Sequence, residues 1–259
     1  MLYTYAIIAD YEPRQAESLI RIGILPDAPP RCYRHGTLAA VASEVPASEF
    51  GPEALPARLS DAEWTRDRVL AHEAVVTDLL QAATVLPMKF CTLFSGEPAL
   101  FAALDDHGDR LLAAVARCRS AREWGVKLFF DPERAEQADA ATVSLSAGAG
   151  AAFFRRKQEA RAKSQADETR LAECVADVHE ALARRARDAV LNPPQPPAIH
   201  RRRGRMVLNA AYLVGTDEEI GWHAAIENMT ERCARDGLGC ELTGPWGPYN
   251  FVGGGLVGA

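Results

Sequence analysis

The sequence predicts an α+β protein with two ferredoxin-like units, in which crossover helices cover one face of each sheet. Two observations favour this class. Short apolar segments rich in β-branched and aromatic residues alternate along the chain with segments of helical periodicity. The 259 residues, of which 48% are hydrophobic and 25% charged, can also bury two cores of ordinary domain size. We place a modified ferredoxin-like domain at residues 1–122 and a second ferredoxin-like domain, which contains one long helix, at residues 123–259.

The first domain is predicted to begin with a strand at Leu2–Ala9, "LYTYAIIA". Its continuous apolar run is typical of a strand that is buried on both faces. A short helical or turn segment starts at Pro13, and His35-Gly36 then separates two strand-like runs, as the turn of a β-hairpin does. A proline-rich stretch at residues 46–56 interrupts this pattern.

A long helix follows the proline-rich stretch. Ser60 and Glu63 stand three residues apart in a capping box, which predicts a helix at about residues 61–83. The segment "TVLPMKFCTLF", Thr84–Phe94, then indicates one strand, which carries a proline near its start, where the missing N–H is tolerated. A further helix is expected at about residues 98–120.

The second domain is predicted to open with a strand at residues 123–131, "EWGVKLFFD", in which Trp124 shares the apolar face of a clean alternation. A loop at 132–150 leads to a helix at about 151–190, which would be nearly 60 Å long at about 1.5 Å per residue. The segment "NPPQPPAIHRRRGR", 192–205, combines prolines with arginines and predicts an exposed, extended loop.

Three elements complete the second domain. "MVLNAAYLV" predicts a strand, and Thr216–Glu219 form a second capping box that opens a helix ending near Arg235. "CELTGPWGPYNFV" supplies the closing strand. From Trp124 onward the predicted order is therefore strand, helix, strand, helix, strand.

Composition narrows the classes of function. A formal net charge of -6 gives no overall attraction to phosphate backbones, and no strand has the basic and aromatic pattern of an RNA-binding sheet, so we expect no nucleic-acid partner. The N-terminus lacks the features of a signal peptide and no apolar run approaches the roughly 20 residues of a membrane span, which predicts a cytoplasmic protein. The six cysteines include no C-x-x-C pair and are interpreted as buried thiols of a reducing compartment.

Motifs for metals and cofactors are incomplete. His72-Glu73 and His179-Glu180 each begin an H-E-x-x-H pattern without its second histidine. The glycines from Gly148 onward resemble the start of a dinucleotide loop but lack its third glycine. We therefore expect no metal, no organic cofactor and no catalytic residues.

Two aromatic residues near the end stand out. Gly-Pro pairs at Gly244-Pro245 and Gly247-Pro248 restrict the chain on both sides of Trp246, and Tyr249 follows directly. Trp246 and Tyr249 are either anchors for a partner or plugs of the core, and their place in a last strand favours the core. The same two interpretations apply to Trp124, with a stronger preference for the core.

Four segments occur in a distinctive order and spacing: "TVLPMKFCTLF", "EWGVKLFF", "NAAYLV" and "LTGPWGPYNFV". Together they resemble the gas vesicle protein F and L family, and the resemblance covers essentially the whole chain. Two positions depart from the family pattern. Cys91 stands where the family's strand usually has a glycine, and Gly247 stands where a proline commonly precedes Pro248.

The resemblance implies a cytoplasmic accessory protein of gas vesicle formation, without enzymatic activity, that associates with the small apolar shell protein or the vesicle, and with other accessory proteins. The motif residues are then the candidates for partner binding: Pro87, Met88, Lys89, Phe90, Trp124, Asn209, Gly244, Pro245, Trp246, Pro248 and Tyr249. Apolar shell subunits aggregate before assembly unless another protein covers them, which a groove or a free strand edge could do. The alternative is an enzyme or sensor on the same scaffold that uses a cleft with His72 or Asn209.

Overall fold

The computed structural model describes residues 1–133, 152–200, 202–234 and 236–253. The chain divides into two compact units. The first comprises Met1–Glu123 together with the segment that begins at Pro245, and the second comprises Trp124–Gly244. The boundary predicted after residue 122 lies next to the observed one, whereas the segment from Pro245, which the prediction placed in the second domain, groups with the first unit.

The first unit contains a five-stranded sheet with the order β2-β3-β1-β4, in which β5 also pairs with β1. Each of these pairings is antiparallel. Every residue of β1 is buried, which confirms the prediction of a central strand covered on both faces. The predicted hairpin is present as β2 and β3. The strands are β1 (Leu2–Ala9), β2 (Arg31–His35), β3 (Leu38–Glu44), β4 (Thr84–Pro87) and β5 (Leu93–Phe94).

Six helices of the first unit accompany this sheet: α1 (Pro13–Leu19), α2 (Ala47–Phe50), α3 (Leu55–Leu59), α4 (Ala62–Leu79), α5 (Glu97–Asp106) and α6 (Gly108–Cys118). The core is aromatic at its centre, where Tyr3, Tyr5 and Phe50 are fully buried beside aliphatic side chains of α4. The two short helices α2 and α3 lie in the stretch that the sequence marked only as proline-rich.

The cap of α4 differs from the prediction. The carboxylate of Asp61 accepts hydrogen bonds from the backbone N–H groups of Glu63 and Trp64, at 3.0 and 3.2 Å, while the hydroxyl of Ser60 donates to the carbonyl of Pro56. Asp61 is therefore the N-cap in place of Ser60, because a carboxylate caps as well as a hydroxyl and stands one residue nearer the helix.

Two predicted elements of the first unit are broken. The single strand at Thr84–Phe94 is divided into β4 and β5, and Cys91 lies between them with a φ of 63°. This left-handed conformation favours glycine. The single helix at 98–120 is two helices, α5 and α6, which meet at His107 with a non-helical ψ of 9°.

The second unit contains a four-stranded sheet with the order β7-β8-β6-β9. Its strands are β6 (Ala121–Phe130), β7 (Asp188–Leu191), β8 (Arg205–Gly215) and β9 (Leu238–Trp246), and its helices are α7 (Ala152–Ala183), α8 (Pro197–His200) and α9 (Glu219–Ala234). Val126, Leu182, Tyr212 and Trp222 are among the buried residues of its core. The predicted strands β6 and β8 and the predicted helix α9 are confirmed. The closing strand predicted at Cys240–Val252 is only partly correct, because β9 starts at Leu238 and ends at Trp246.

The long helix is shorter than predicted, because α7 ends at Ala183 and the chain then forms β7, a strand that the sequence analysis missed. β7 pairs antiparallel with β8, and the backbone N–H of Arg187 donates to the carbonyl of Leu213. The predicted loop at 132–150 and the predicted helix start at residue 151 lie largely outside the described residues. At Asp188–Leu191, pairing with β8 outweighs the helical periodicity of the sequence.

Candidate partner-binding site

The closing segment, residues 245–253, has a defined path after β9. The backbone N–H of Tyr249 donates to the carbonyl of Gly247 at 2.7 Å, and that of Phe251 donates to the carbonyl of Pro248 at 3.0 Å. Gly247, Pro248 and Phe251 are buried. Two tight turns and a buried phenylalanine therefore hold this segment in one conformation.

Gly247 brings the closing segment unusually close to α4 and β4. A Cβ atom at this position would lie 2.7 Å from Cγ1 of Val76 and 3.2 Å from Cγ of Pro87. Side chains do not approach this closely, so the absence of a Cβ permits the contact. The absence of a Cβ atom at Gly247 thus allows the backbone to pack directly on α4 and β4.

Two carboxylates fasten the closing segment. The hydroxyl of Tyr249 donates to Oε1 of Glu73 at 2.8 Å. Asn250 donates twice to Glu123, from its backbone N–H to Oε2 at 2.9 Å and from Nδ2 to Oε1 at 2.6 Å. Burial raises the pKa of both glutamates, and burial beside Glu73 also raises the pKa of Tyr249. These bonds satisfy polar groups that would otherwise be costly to bury.

His72 belongs to the core beneath this segment. It is 1% exposed, and its Nδ1 lies 2.8 Å from the hydroxyl of Tyr3. Burial lowers the pKa of His72 to about 4, so the imidazole is neutral at pH 7. The rings of Tyr3, Tyr5 and Phe90 surround it at centroid distances of 5.7, 5.7 and 6.2 Å. This packing describes a structural histidine with no access to a substrate.

Trp246 and Tyr249 have different environments. Tyr249 is half-buried and bound to Glu73, whereas the side chain of Trp246, the last residue of β9, is 41% exposed. Gly244, directly before the Pro245-Trp246 pair, has a φ of 121° that favours glycine. Pro245 is half-buried. The path set by the four glycine and proline residues therefore brings Tyr249 to Glu73 and leaves Trp246 partly exposed.

The other motif residues of the first unit are mostly core. Pro87 and Met88 are buried, and Pro87 pairs with Ala6 in the sheet. Phe90 is half-buried and packs edge-on against Tyr3 at a centroid distance of 6.4 Å. Lys89 is exposed. This motif explains the shape of the core around β4 and offers one charged side chain to solvent.

Trp124 and Asn209 lie in the second unit and both have partners there. Nε1 of Trp124 donates to Oε1 of Glu219 at 3.1 Å, and its ring lies 4.4 Å from the ring of His223 and 6.3 Å from that of Trp222. Nδ2 of Asn209 donates to the carbonyl of Pro193 at 2.9 Å. The carbonyl of Asn209 also accepts the backbone N–H of Asn192 at 2.7 Å, so Asn209 ties the start of the proline-rich segment to β8.

Sequence analysis did not single out Glu123 or Asn250, and it noted Glu73 only as a neighbour of His72. A signal for Glu123 exists in the alternation of β6, where Ala121 and Glu123 both face inward. A glutamate on a buried strand face requires a donor, and Asn250 supplies two. Among the described residues, no group of three or more His, Cys, Asp or Glu side chains is arranged to hold a metal ion.

Comparisons with known proteins identify the family. The model of the family described as "Gas vesicle synthesis protein GvpL/GvpF" matches residues 1–253. The chain belongs to this family. GvpL/GvpF proteins are gas vesicle structural and assembly proteins, and the family is not one of enzymes.

Individual GvpL/GvpF relatives agree over the whole length. Gas vesicle protein L of Streptomyces sp. (strain CB03234) is 33% identical over 252 residues, which cover 97% of this chain and 92% of the relative. Gas vesicle protein F of the same strain is 26% identical and covers 96% and 98%. The crystal structure of GvpF from Microcystis aeruginosa matches with a TM-score of 0.69 at 17% identity, over 97% of this chain and 98% of that one.

The structural match shows that the mixed α+β architecture with its two antiparallel sheets is a GvpF-like fold. Within the described ranges, none of the helices combines the length and apolar character needed to cross a bilayer.

Proposed function

We propose that this chain is an assembly factor that binds the small apolar shell protein and thereby supports gas vesicle formation. Membership of a gas vesicle synthesis family gives the process. A shell that keeps water out of a gas space needs strongly apolar subunits, and such subunits aggregate when their surface is uncovered. A folded protein that covers this surface until the subunit joins the shell would prevent aggregation.

The observation that carries the proposal is the exposed indole of Trp246 on a fixed frame. Tryptophan is enriched among the residues that dominate binding energy. Gly247 packs on α4, while Tyr249 and Asn250 bind carboxylates of the first unit. An anchor that is already ordered loses little conformational entropy on binding, which strengthens the contact. Trp246 would make the contact and Tyr249 would support it.

The topology also supports the finer fold assignment, that both units are ferredoxin-like. The first unit runs β1, α1, β2, β3, α4, β4 with the strand order β2-β3-β1-β4. The second runs β6, α7, β7, β8, α9, β9 with the order β7-β8-β6-β9. Both orders place the third strand between the second and the first, and the fourth beside the first, as the ferredoxin-like motif β-α-β-β-α-β does.

Location, branch and cofactor use follow from the same proposal. We infer a cytoplasmic protein that works at the forming vesicle, with other accessory proteins as further partners. The higher identity to the L protein than to the F protein of one strain supports the L branch.

The chain should act without a metal or an organic cofactor, and native mass spectrometry of the purified protein would contradict this by detecting stoichiometric zinc or a nucleotide that survives dialysis.

The proposal is tested by co-expression of the tagged chain with the shell subunit of the same organism. We expect the shell subunit to remain soluble and to co-purify with the tagged chain. Deletion of the gene should abolish or deform the vesicles in the host, and re-expression should restore them. Failure to capture the shell subunit, together with normal vesicles after deletion, would refute the assembly function.

A further inference from the structure

Two thiols meet in the second unit. Cys174 on α7 and Cys233 on α9 lie 59 positions apart in the chain, and their Sγ atoms are 3.6 Å apart, which is van der Waals contact for two sulfur atoms. We propose that Cys174 and Cys233 form a redox-responsive dithiol, which a hydroperoxide converts to an intramolecular disulfide between α7 and α9. Dithiols of this kind in reducing compartments are typically transient and redox-sensing, and structural disulfides are rare there.

The geometry permits closure. A disulfide has a sulfur–sulfur distance of about 2.05 Å, so the two sulfur atoms must approach by about 1.5 Å. Both residues lie on helices that pack on the core of the second unit, where Leu171, Val178 and Ile226 are buried next to them. Rotation about the Cα–Cβ bond of each cysteine moves its sulfur atom without moving the backbone.

The two thiols differ in access, which assigns their roles. Cys174 is half-buried, whereas Cys233 is 5% exposed and burial raises the pKa of its thiol. Cys174 therefore meets the oxidant first. Its sulfur attacks the O–O bond of the hydroperoxide and becomes a sulfenic acid, and with hydrogen peroxide one water is released. The sulfur of Cys233 then displaces the hydroxyl group, which leaves as a second water with the thiol proton.

A third thiol nearby is a competing partner, which makes the proposed pairing testable. Cys240 on β9 lines the same small core cavity as Cys233, together with Thr230, and burial raises the pKa of Cys240 as well. In the part of the chain that the structure describes, these thiols do not form a metal-binding group. Contact between the sulfur atoms of Cys174 and Cys233 favours this pair over any pair that includes Cys240.

Trypsin separates the three thiols, because Arg170, Arg184, Arg232 and Arg235 place them on different peptides. The purified full-length chain is treated with hydrogen peroxide, alkylated and digested without reductant. We expect the peptide 171–184 to be linked to the peptide 233–235, the intact chain to have lost two hydrogen atoms, and the melting temperature to rise, since the new link restrains the unfolded chain.

Cys174→Ser should abolish both the link and the rise in melting temperature. Cys32→Ser, which replaces a half-buried thiol of the first unit, should leave both unchanged. The proposal is overturned by oxidation that yields only sulfinic acid, by links between different molecules, or by a link that joins Cys240 to either of the other two. Because the main measurement uses the unmutated chain, a folding defect in a variant does not affect it.

Discussion

The closing segment at residues 245–253 and the proline-rich segment at residues 192–205 both contain prolines but are attached to the rest of the chain in different ways. The closing segment has two prolines and the proline-rich segment has four, and a proline cannot donate a backbone hydrogen bond. The closing segment is attached to the half-buried carboxylate of Glu73 and the buried carboxylate of Glu123. The proline-rich segment is attached to β8 through the backbone and side chain of Asn209, and most of its residues are exposed.

Proline content therefore does not decide whether a segment is firmly held. The burial of the groups that accept its hydrogen bonds decides how firmly a segment is held. Charge-assisted hydrogen bonds to buried carboxylates stabilise more than exposed contacts do, because solvent does not compete for the same groups. Among the described residues of the proline-rich segment, the shortest ion pair joins Arg202 to Glu241 at 2.6 Å, and the arginine side chain is 53% exposed. Such pairs contribute little.

The largest difference between the segments should come from their apolar residues. Phe251 is 2% exposed, and Phe251→Ala should lower the free energy of unfolding by about 3–5 kcal/mol. Ile199 in the proline-rich segment is 63% exposed, and Ile199→Ala should change it by no more than about 0.5 kcal/mol. Urea denaturation measures both. Equal effects would erase the distinction between the two segments.

Acid should weaken the first unit through His72, which lies on α4 under the closing segment. Its pKa is lowered from 6.5 to about 4. Between these two pH values His72 is protonated in the unfolded chain and neutral in the folded chain. The stability that the neutral histidine maintains is complete above pH 6.5 and is lost as the pH falls toward 4, by about 3 kcal/mol in total.

His72→Gln removes this titration and should flatten the decline between pH 6.5 and 4 in a series of denaturation curves. Glu73→Gln should have the opposite sign. The raised pKa of Glu73 means that the folded chain gains stability as the pH falls through that pKa, and the glutamine variant lacks the gain. Parallel curves for the unmutated chain and His72→Gln would contradict a buried neutral imidazole.

Single hydrogen bonds should separate the segments less strongly. Tyr249→Phe removes the bond to a carboxylate with a raised pKa and should cost about 1–3 kcal/mol of stability. Asn209→Ala removes the bond to the carbonyl of Pro193 near the surface and should cost about 0.5–1.5 kcal/mol. Thermal denaturation of both variants checks the order, and a larger loss for Asn209→Ala would reverse the comparison.

Limited proteolysis should also distinguish the two segments, and it requires only local opening of the chain. Trypsin should cut first at the arginine cluster of residues 201–205, because exposed backbone with few buried apolar contacts opens at low cost. Sequencing of the first fragments identifies the bond. Initial cleavage within α7, with the arginine cluster intact, would show that the proline-rich segment is as firmly held as the closing one.

Elements with a local signal were predictable from the sequence, and elements that depend on a partner were not. β1 and the β2–β3 hairpin have continuous apolar runs and a turn glycine, and both are present. β7 has only four residues and is stabilised by its pairing with β8. The local sequence has helical periodicity, so the predicted helix was extended over this strand. The break at His107 has no proline to announce it.

The candidate site divides in the same way. Trp246 and Tyr249 could be identified as candidates from the Gly-Pro pairs beside them, because backbone restriction is a local property of the sequence. The contrast between an exposed Trp246 and a bound Tyr249 depends on Glu73, which is 176 positions distant from Tyr249 in the chain. No spacing rule connects residues so far apart, so the sequence left the core and interface interpretations open for both aromatics.

The most direct test of the central claim measures capture of the shell subunit by Trp246→Ala, beside the unmutated chain and Ile220→Ala. Ile220 is 87% exposed and serves as the matched loss of an exposed apolar side chain. If Trp246 is an anchor, Trp246→Ala should lose about 2 kcal/mol or more of binding, roughly thirty-fold in affinity, with an unchanged melting temperature, while Ile220→Ala binds normally. Full capture by Trp246→Ala, or a loss that accompanies a large drop in melting temperature, would contradict the account.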